Sequence, residues 1–153
     1  MKFTDQPLSH FFFPREKKDS PATGVVAEEA TASQTPIVER IRNGIPFKEF
    51  SALQPLLEIT EEALGRYLGM SNATLHRRKK ARRLSPAESE RLVRFTRLFG
   101  IALGVFGTEA AACSWLKTEN PGTAGEAPLG YADTEFGARE VENLLGRIDH
   151  GIF

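Results

Sequence analysis

The chain has 153 residues, 41% hydrophobic and 26% charged, with 20 basic and 20 acidic side chains and a formal net charge of zero. That length suits one domain, or a small domain with extensions, and buries roughly 65–70% of the unfolded surface. A single cysteine, Cys113, excludes an internal disulfide and a cysteine-rich zinc site, and its apolar neighbours Ala112, Trp115 and Leu116 predict a small buried hydrophobe, not a catalytic thiol.

No apolar run approaches the ~20 residues of a membrane span. Phe11, Phe12 and Phe13 are too few for a signal-peptide core. Both absences predict a cytoplasmic protein without a membrane partner. The zero charge is unevenly distributed. Residues 1–60 carry a net −1, residues 61–100 a net +6 and residues 101–153 a net −5. Such a division predicts two surfaces with different partners.

Residues 1–34 read as a weakly ordered arm, interrupted by Pro7, Pro14, Pro21 and Gly24 and lacking a sustained period. Docking of its aromatic cluster on the folded part is the alternative. Order is expected from Thr35, with Pro36 at a helix start and Gly44 at its end. A short helix follows Pro46 with Phe47, Phe50 and Leu53 on one side, and Pro55 is expected to end or kink it. Thr60 caps a helix to about Leu68, Gly69 turns the chain, and Ser71 or Asn72 caps a helix to about Arg82. Ser85-Pro86 opens a long helix reaching about Val105, whose second half, Leu98 to Phe106, is apolar all round. That half is a candidate dimer interface or intramolecular core. Gly100 and Gly104 on it would let another backbone approach closely. A helix over about Thr108–Lys117 comes next, then a loop over 120–130, then a last helix from Asp133 or Thr134 to about Asp149. Phe136, Val141, Leu144, Leu145 and Ile148 are read as its apolar stripe. No strand is expected, so the predicted class is all-α.

Gly65 and Gly69, with Leu64, Leu68, Met70 and Leu75 in locking positions, have the spacing of a helix-turn-helix. Immediately beyond stand six cations in seven residues, Arg77 to Arg83. A second helix in the major groove turns its N-terminal residues to base edges. Ser71, Asn72, Thr74 and His76 are then the candidate readers, with Arg77 or Arg78 as a guanine contact. Lys79, Lys80, Arg82 and Arg83 are the candidate phosphate contacts. A solvated basic face is the alternative.

Enzymatic constellations are missing. His10, His76 and His150 have no metal-ligand spacing, and neither a nucleophile elbow, a P-loop nor a dinucleotide fingerprint occurs. Neither a catalytic residue, a metal nor a cofactor is predicted.

Three segments resemble the Xre/MbcA/ParS antitoxins, over about two thirds of the chain. One is Leu68-Gly69-Met70-Ser71 leading into Thr74-Leu75-His76-Arg77-Arg78-Lys79. Another is Arg83-Leu84-Ser85-Pro86-Ala87-Glu88-Ser89-Glu90-Arg91-Leu92. The most specific is Asp133-Thr134-Glu135-Phe136-Gly137-Ala138-Arg139-Glu140-Val141, running on through Leu144 to Phe153. The sequence departs from the family in the loop Thr123 to Ala132, which keeps Pro128-Leu129 but lacks the usual Leu-Gly-Gly stretch.

The resemblance implies a type II antitoxin that neutralises a RES-domain toxin, an enzyme that consumes NAD, and represses its own operon. The chain itself divides into the arm 1–34, which is not part of the match, a helix-turn-helix region 35–84, and a helical region 85–153 expected to bind the toxin, with dimerisation as a candidate second role. The expected partners are the toxin, double-stranded operator DNA and a second copy. The residues themselves place Arg139, Asn143, Arg147 and His150 on one polar face of the last helix. Arg147 with the tail His150, Gly151, Ile152 and Phe153 are the stronger candidates for toxin contact, because Gly151 permits a bend and Ile152 and Phe153 are apolar. A stand-alone regulator and a pure protein-interaction module are the competing readings.

Overall fold

The computed structural model describes residues 7–14 and 34–151. Their helices are α1 (Leu8–Phe12), α2 (Gln34–Asn43), α3 (Phe47–Leu57), α4 (Glu61–Tyr67), α5 (Asn72–Ala81), α6 (Pro86–Phe106), α7 (Glu109–Lys117), a 3-10 turn (Pro121–Thr123), α8 (Pro128–Tyr131) and α9 (Glu135–Asp149). No strand occurs among the described residues, and the expected all-α class holds. One isolated antiparallel bridge, Pro46 to Arg83, ties the start of α3 to the segment after α5. There Phe47 N–H donates to Arg82 O (3.0 Å) and Leu84 N–H to Ile45 O (2.9 Å).

Hydroxyl caps set most helix starts. Thr60, Ser71, Ser85, Thr108 and Thr134 each accept the backbone N–H three residues on. Each such cap contributes about 1 kcal/mol. Ser85 and Glu88 form a full capping box at α6, with Pro86 in the first turn. Pro55 lies inside the last turn of α3, and the helix stops two residues later at Leu57, where Glu58 turns left-handed at φ 52°.

The 21-residue helix α6 is the spine, packing against α1, α2, α7 and α9. Phe50, Leu57 and Leu64 from the first half share one buried cluster with Phe95, Leu98, Leu116, Leu129, Val141 and Leu145. Leu98, Phe99 and Ala102 are fully buried in it, while Ile101, Leu103, Val105 and Phe106 are half-buried. Most of the apolar half of α6 therefore serves the chain's own core. Cys113 is buried and donates to Leu57 O (3.1 Å), and desolvation raises its thiol above the ordinary value. No single helix among the described residues is long and apolar enough to cross a membrane.

Part of the expected arm is docked. Leu8 is buried, and its N–H donates to the Glu49 carboxylate (3.1 Å). The Phe13 ring lies 5.3 Å from that of Phe99, and the Arg40 guanidinium 5.6 Å from the Phe11 ring. Gly100 admits the Phe12 backbone, the close approach expected of it; at Gly104 the neighbour is only the Pro14 ring. The remainder of the expected arm, 1–6 and 15–33, lies outside the described residues. A methyl at Gly100 would overlap the Phe12 carbonyl. Gly100→Ala should therefore cost about 1–3 kcal/mol and strip amide-exchange protection from residues 8–13. Unchanged protection would refute the docking of α1.

Candidate functional site

The pair α4 and α5 has helix-turn-helix geometry because two positions carry no side chain. A methyl on Gly65 would stand 3.5 Å from Leu75 Cδ2, so the two helices cross closely there. Gly69 adopts φ +78°, a left-handed turn that glycine takes without strain. Met70 N–H donates to Gly65 O (2.8 Å), and Arg91 of α6 donates to Leu68 O (2.9 Å). Leu64, Leu68, Met70 and Leu75 are all buried, as their locking positions require.

The candidate DNA-binding residues fall into two groups. Ser71 is the N-cap of α5: its Oγ accepts Thr74 N–H (3.2 Å) and its hydroxyl donates to Thr74 Oγ1 (3.1 Å). Arg77 donates to the same Thr74 oxygen (3.1 Å), which aligns Ser71, Thr74 and Arg77 along one side of the helix. Asn72 and His76 are exposed.

Among the cations, Arg78 is half-buried and paired with Glu88 (2.9 Å), the residue that also completes the α6 capping box. Arg83 donates to Gly44 O (2.6 Å) and Asn43 O (3.3 Å), closing the end of α2. Lys79 makes a surface pair with Glu61 (3.0 Å), an interaction that contributes little. Lys80 and Arg82 are exposed and without an ion-pair partner among the described residues. Arg78 and Arg83 thus brace the fold, and the outward positive charge rests with Arg77, Lys80, Arg82 and the weakly held Lys79. Sequence spacing did not separate these roles, because Glu88 lies on α6 and Gly44 just beyond the end of α2.

Arg82 closes α5 in the left-handed region at φ 59°, where glycine is the usual residue. A side chain there costs about 1 kcal/mol. Arg82→Gly should raise the melting temperature by a few degrees and lower the salt slope of DNA binding by about 1 per copy. A variant that melts earlier, or binds DNA with an unaltered slope, would contradict this.

A second surface is built on α9. Its inner side is held to α6 by charge. Arg94, largely buried, donates to Asp133 O (3.0 Å) and Glu90 (2.9 Å) and lies 3.3 Å from Glu135; Arg97 pairs with Glu142 (2.6 Å) and Glu135 (3.5 Å). These pairs neutralise the inner carboxylates of α9. The outer side carries Arg139, Asn143, Arg147 and His150, all exposed, and Arg139 makes only a long contact to Glu135 (3.7 Å). Gly151 takes φ +69°, the bend expected of it. Ile152 and Phe153 lie outside the described residues.

Phe136 corrects the sequence reading. Hydrophobicity places it in the apolar stripe, yet it is 85% exposed. The spacing explains the error: five residues separate it from Val141, about 140° around the helix at 3.6 residues per turn. The buried stripe is Ala138, Val141 and Leu145, with Leu144 and Ile148 half-buried.

The loop before α9 is tightly tied. Asn120 Oδ1 accepts Gly122 N–H (2.8 Å), and the buried Thr123 hydroxyl lies within bonding distance of Glu126 O (2.6 Å) and Asn120 O (3.1 Å). Among the described residues no group of three His, Cys, Asp or Glu is placed to hold a metal ion, and the three histidines sit on separate elements.

Comparison with known proteins matches two successive regions of the chain. Residues 36–97 match the antitoxin Xre-like helix-turn-helix domain, and residues 102–151 the antitoxin Xre/MbcA/ParS C-terminal toxin-binding domain. A curated relative from Yersinia enterocolitica, described as antitoxin Xre, is 32% identical over 121 residues, 78% of this chain and 82% of the relative. Another antitoxin Xre, from Photorhabdus laumondii, is 42% identical over 66 residues, 42% of this chain and 45% of that protein. With a helix-turn-helix ahead of a toxin-binding domain on one shared spine, the chain belongs to the Xre family of antitoxins.

Proposed function

We propose that this antitoxin blocks the active site of an NAD-consuming, RES-domain toxin and represses its own operon in the cytoplasm, two copies reading two half-sites of the operator. The observation that carries the DNA arm is the set of unbraced cations at the far end of α5. Helix α5 enters the major groove; Asn72, His76 and Arg77 meet base edges, with Ser71 and Thr74 holding the N-terminus in place. Lys79, Lys80 and Arg82 meet phosphates, and Arg78 and Arg83 support the helix from behind. The face of α9 carries the toxin arm: Arg139, Asn143, Arg147 and His150 supply donors to acceptor groups at the toxin's pocket, and the tail closes over it.

Three phosphates neutralised by each of two copies give a slope of log affinity against log salt of roughly −5. Co-expression with the product of the neighbouring reading frame, followed by purification and a gel shift on the upstream region, tests both arms. A stable complex that retards the upstream duplex is expected. A chain that purifies alone and leaves the duplex unshifted would overturn the proposal.

A further inference from the structure

We propose that Phe136 is the anchor of the toxin contact, an aromatic ring held out of the fold to fill an apolar pocket on the partner. The inference rests on the reading of α9 as the toxin-binding face. Three observations meet at this residue. Phe136 is 85% exposed on a chain whose other large hydrophobics, Val38 excepted, are buried or half-buried among the described residues. Leaving a phenyl ring in water forfeits the stabilisation its burial would give, so an isolated outward phenylalanine on a well-packed helix fits a surface that something else covers. It sits within the region matched by the toxin-binding domain.

Its position on the helix is the second observation. At 3.6 residues per turn, Phe136, Glu140, Asn143 and Arg147 fall within about 60° of one another. Arg139 and His150 flank the same sector, opposite Val141 and Leu145. The aromatic ring therefore heads the polar face, one turn before Arg139. A ring and two guanidinium groups on one exposed helix face match the composition of binding hot spots, where aromatic and Arg side chains dominate.

Rigidity is the third. Thr134 caps the first turn of α9, Gly137 backs directly against the Tyr131 carbonyl, and Glu135 is gripped by Arg94 and Arg97. The residues on both sides of Phe136 are therefore fixed, and little further ordering of the backbone remains on binding. With Glu135 and Glu142 occupied on the inner side, the outer face presents Arg139 and Arg147 beside the ring, with Glu140 as its one carboxylate. The matching surface on the partner is an apolar pocket, wide enough for a phenyl group, with carboxylate or carbonyl oxygens at its rim.

The test uses the full chain and the protein encoded by the neighbouring reading frame, proposed as the toxin, with affinity measured by calorimetry. Phe136→Ala is expected to weaken the complex about 30-fold or more, and Phe136→Leu several-fold less than that. The melting temperature and the affinity for the upstream duplex should stay at wild-type values, since the ring touches little of its own fold. Equal affinity of wild type and Phe136→Ala would overturn the anchor while leaving the antitoxin reading intact. Failure of the wild type to bind that toxin would remove the underlying reading and the anchor with it. Sedimentation of the chain alone supplies the remaining outcome: if Phe136→Ala splits a homodimer without altering toxin affinity, the ring serves self-association and the proposal fails.

Discussion

Alanine at Gly137 should disable toxin binding and lower the melting temperature by roughly 6–12 °C, the equivalent of about 3 kcal/mol for a chain of this size. Gly137 is the third residue of α9, and its N–H donates to the capping Thr134 hydroxyl (3.1 Å). A Cβ there would overlap the Tyr131 carbonyl oxygen. That oxygen belongs to the end of α8, whose neighbours Leu129 and Ala132 are fully buried, so it has nowhere to retreat. The first turn of α9 must move instead, and with it Phe136, Arg139 and the Arg94–Glu135 contact. Gly146, on the same helix, provides the control. Nothing lies within 4 Å of a Cβ built there. Gly146→Ala should be neutral or stabilise the protein by up to about 1 kcal/mol, since alanine is the better helix former. Thermal unfolding of the two variants, run beside calorimetry with the toxin, checks the pair. Equal melting temperatures would refute the α8–α9 junction as described.

Removing the outward cations of α5 should be the other large effect. In a variant combining Arg77→Ala, Lys80→Ala and Arg82→Ala, affinity for the upstream duplex is expected to fall about 100-fold or more near 0.1 M salt, and the salt slope to move from roughly −5 toward zero. The fold should survive, because none of the three braces another helix. Arg78→Ala and Arg83→Ala should behave differently. Each strips a partner from a group the fold relies on, the buried Glu88 carboxylate in one case and the carbonyls of Asn43 and Gly44 in the other. Their main effect should be a loss of about 1–3 kcal/mol in stability, with the slope changed little. Anisotropy titrations across a salt series, paired with denaturant melts, separate the two classes. If Arg78→Ala alone flattened the slope while the triple variant did not, the assignment of outward and bracing cations would be reversed.

The helix-turn-helix was legible because its requirements are local. Gly65, Gly69 and four locking residues lie within a few turns of one another, and the hydroxyl caps Thr60, Ser71, Ser85 and Thr134 mark helix starts within a residue of where they occur. Elements that depend on distant partners were not legible. Helix α1 is five residues long, too short for a period, and exists because Gly100 opens a groove nearly ninety residues away. Helix α8, with four residues, is shorter still and is set by Pro128 and the core contact of Leu129. The division of the basic run into outward and bracing cations depends on Glu88 and on the end of α2, neither of which spacing could assign. Phe136 was misplaced for a different reason: hydrophobicity alone put it with the stripe, and its angle around α9 puts it opposite. That angle was available from the sequence, and a wheel drawn from Val141 and Leu145 finds it.

The proposed blockade is checked by NAD turnover of the neighbouring reading frame's product, measured as this chain is titrated in. Loss of NAD should fall to background as the chain reaches saturation. The α5 triple variant should inhibit as fully as wild type, and Phe136→Ala combined with Arg147→Ala should inhibit poorly. Undiminished NAD loss in the presence of saturating wild-type chain, or NAD consumption by this chain on its own, would rule the blockade out.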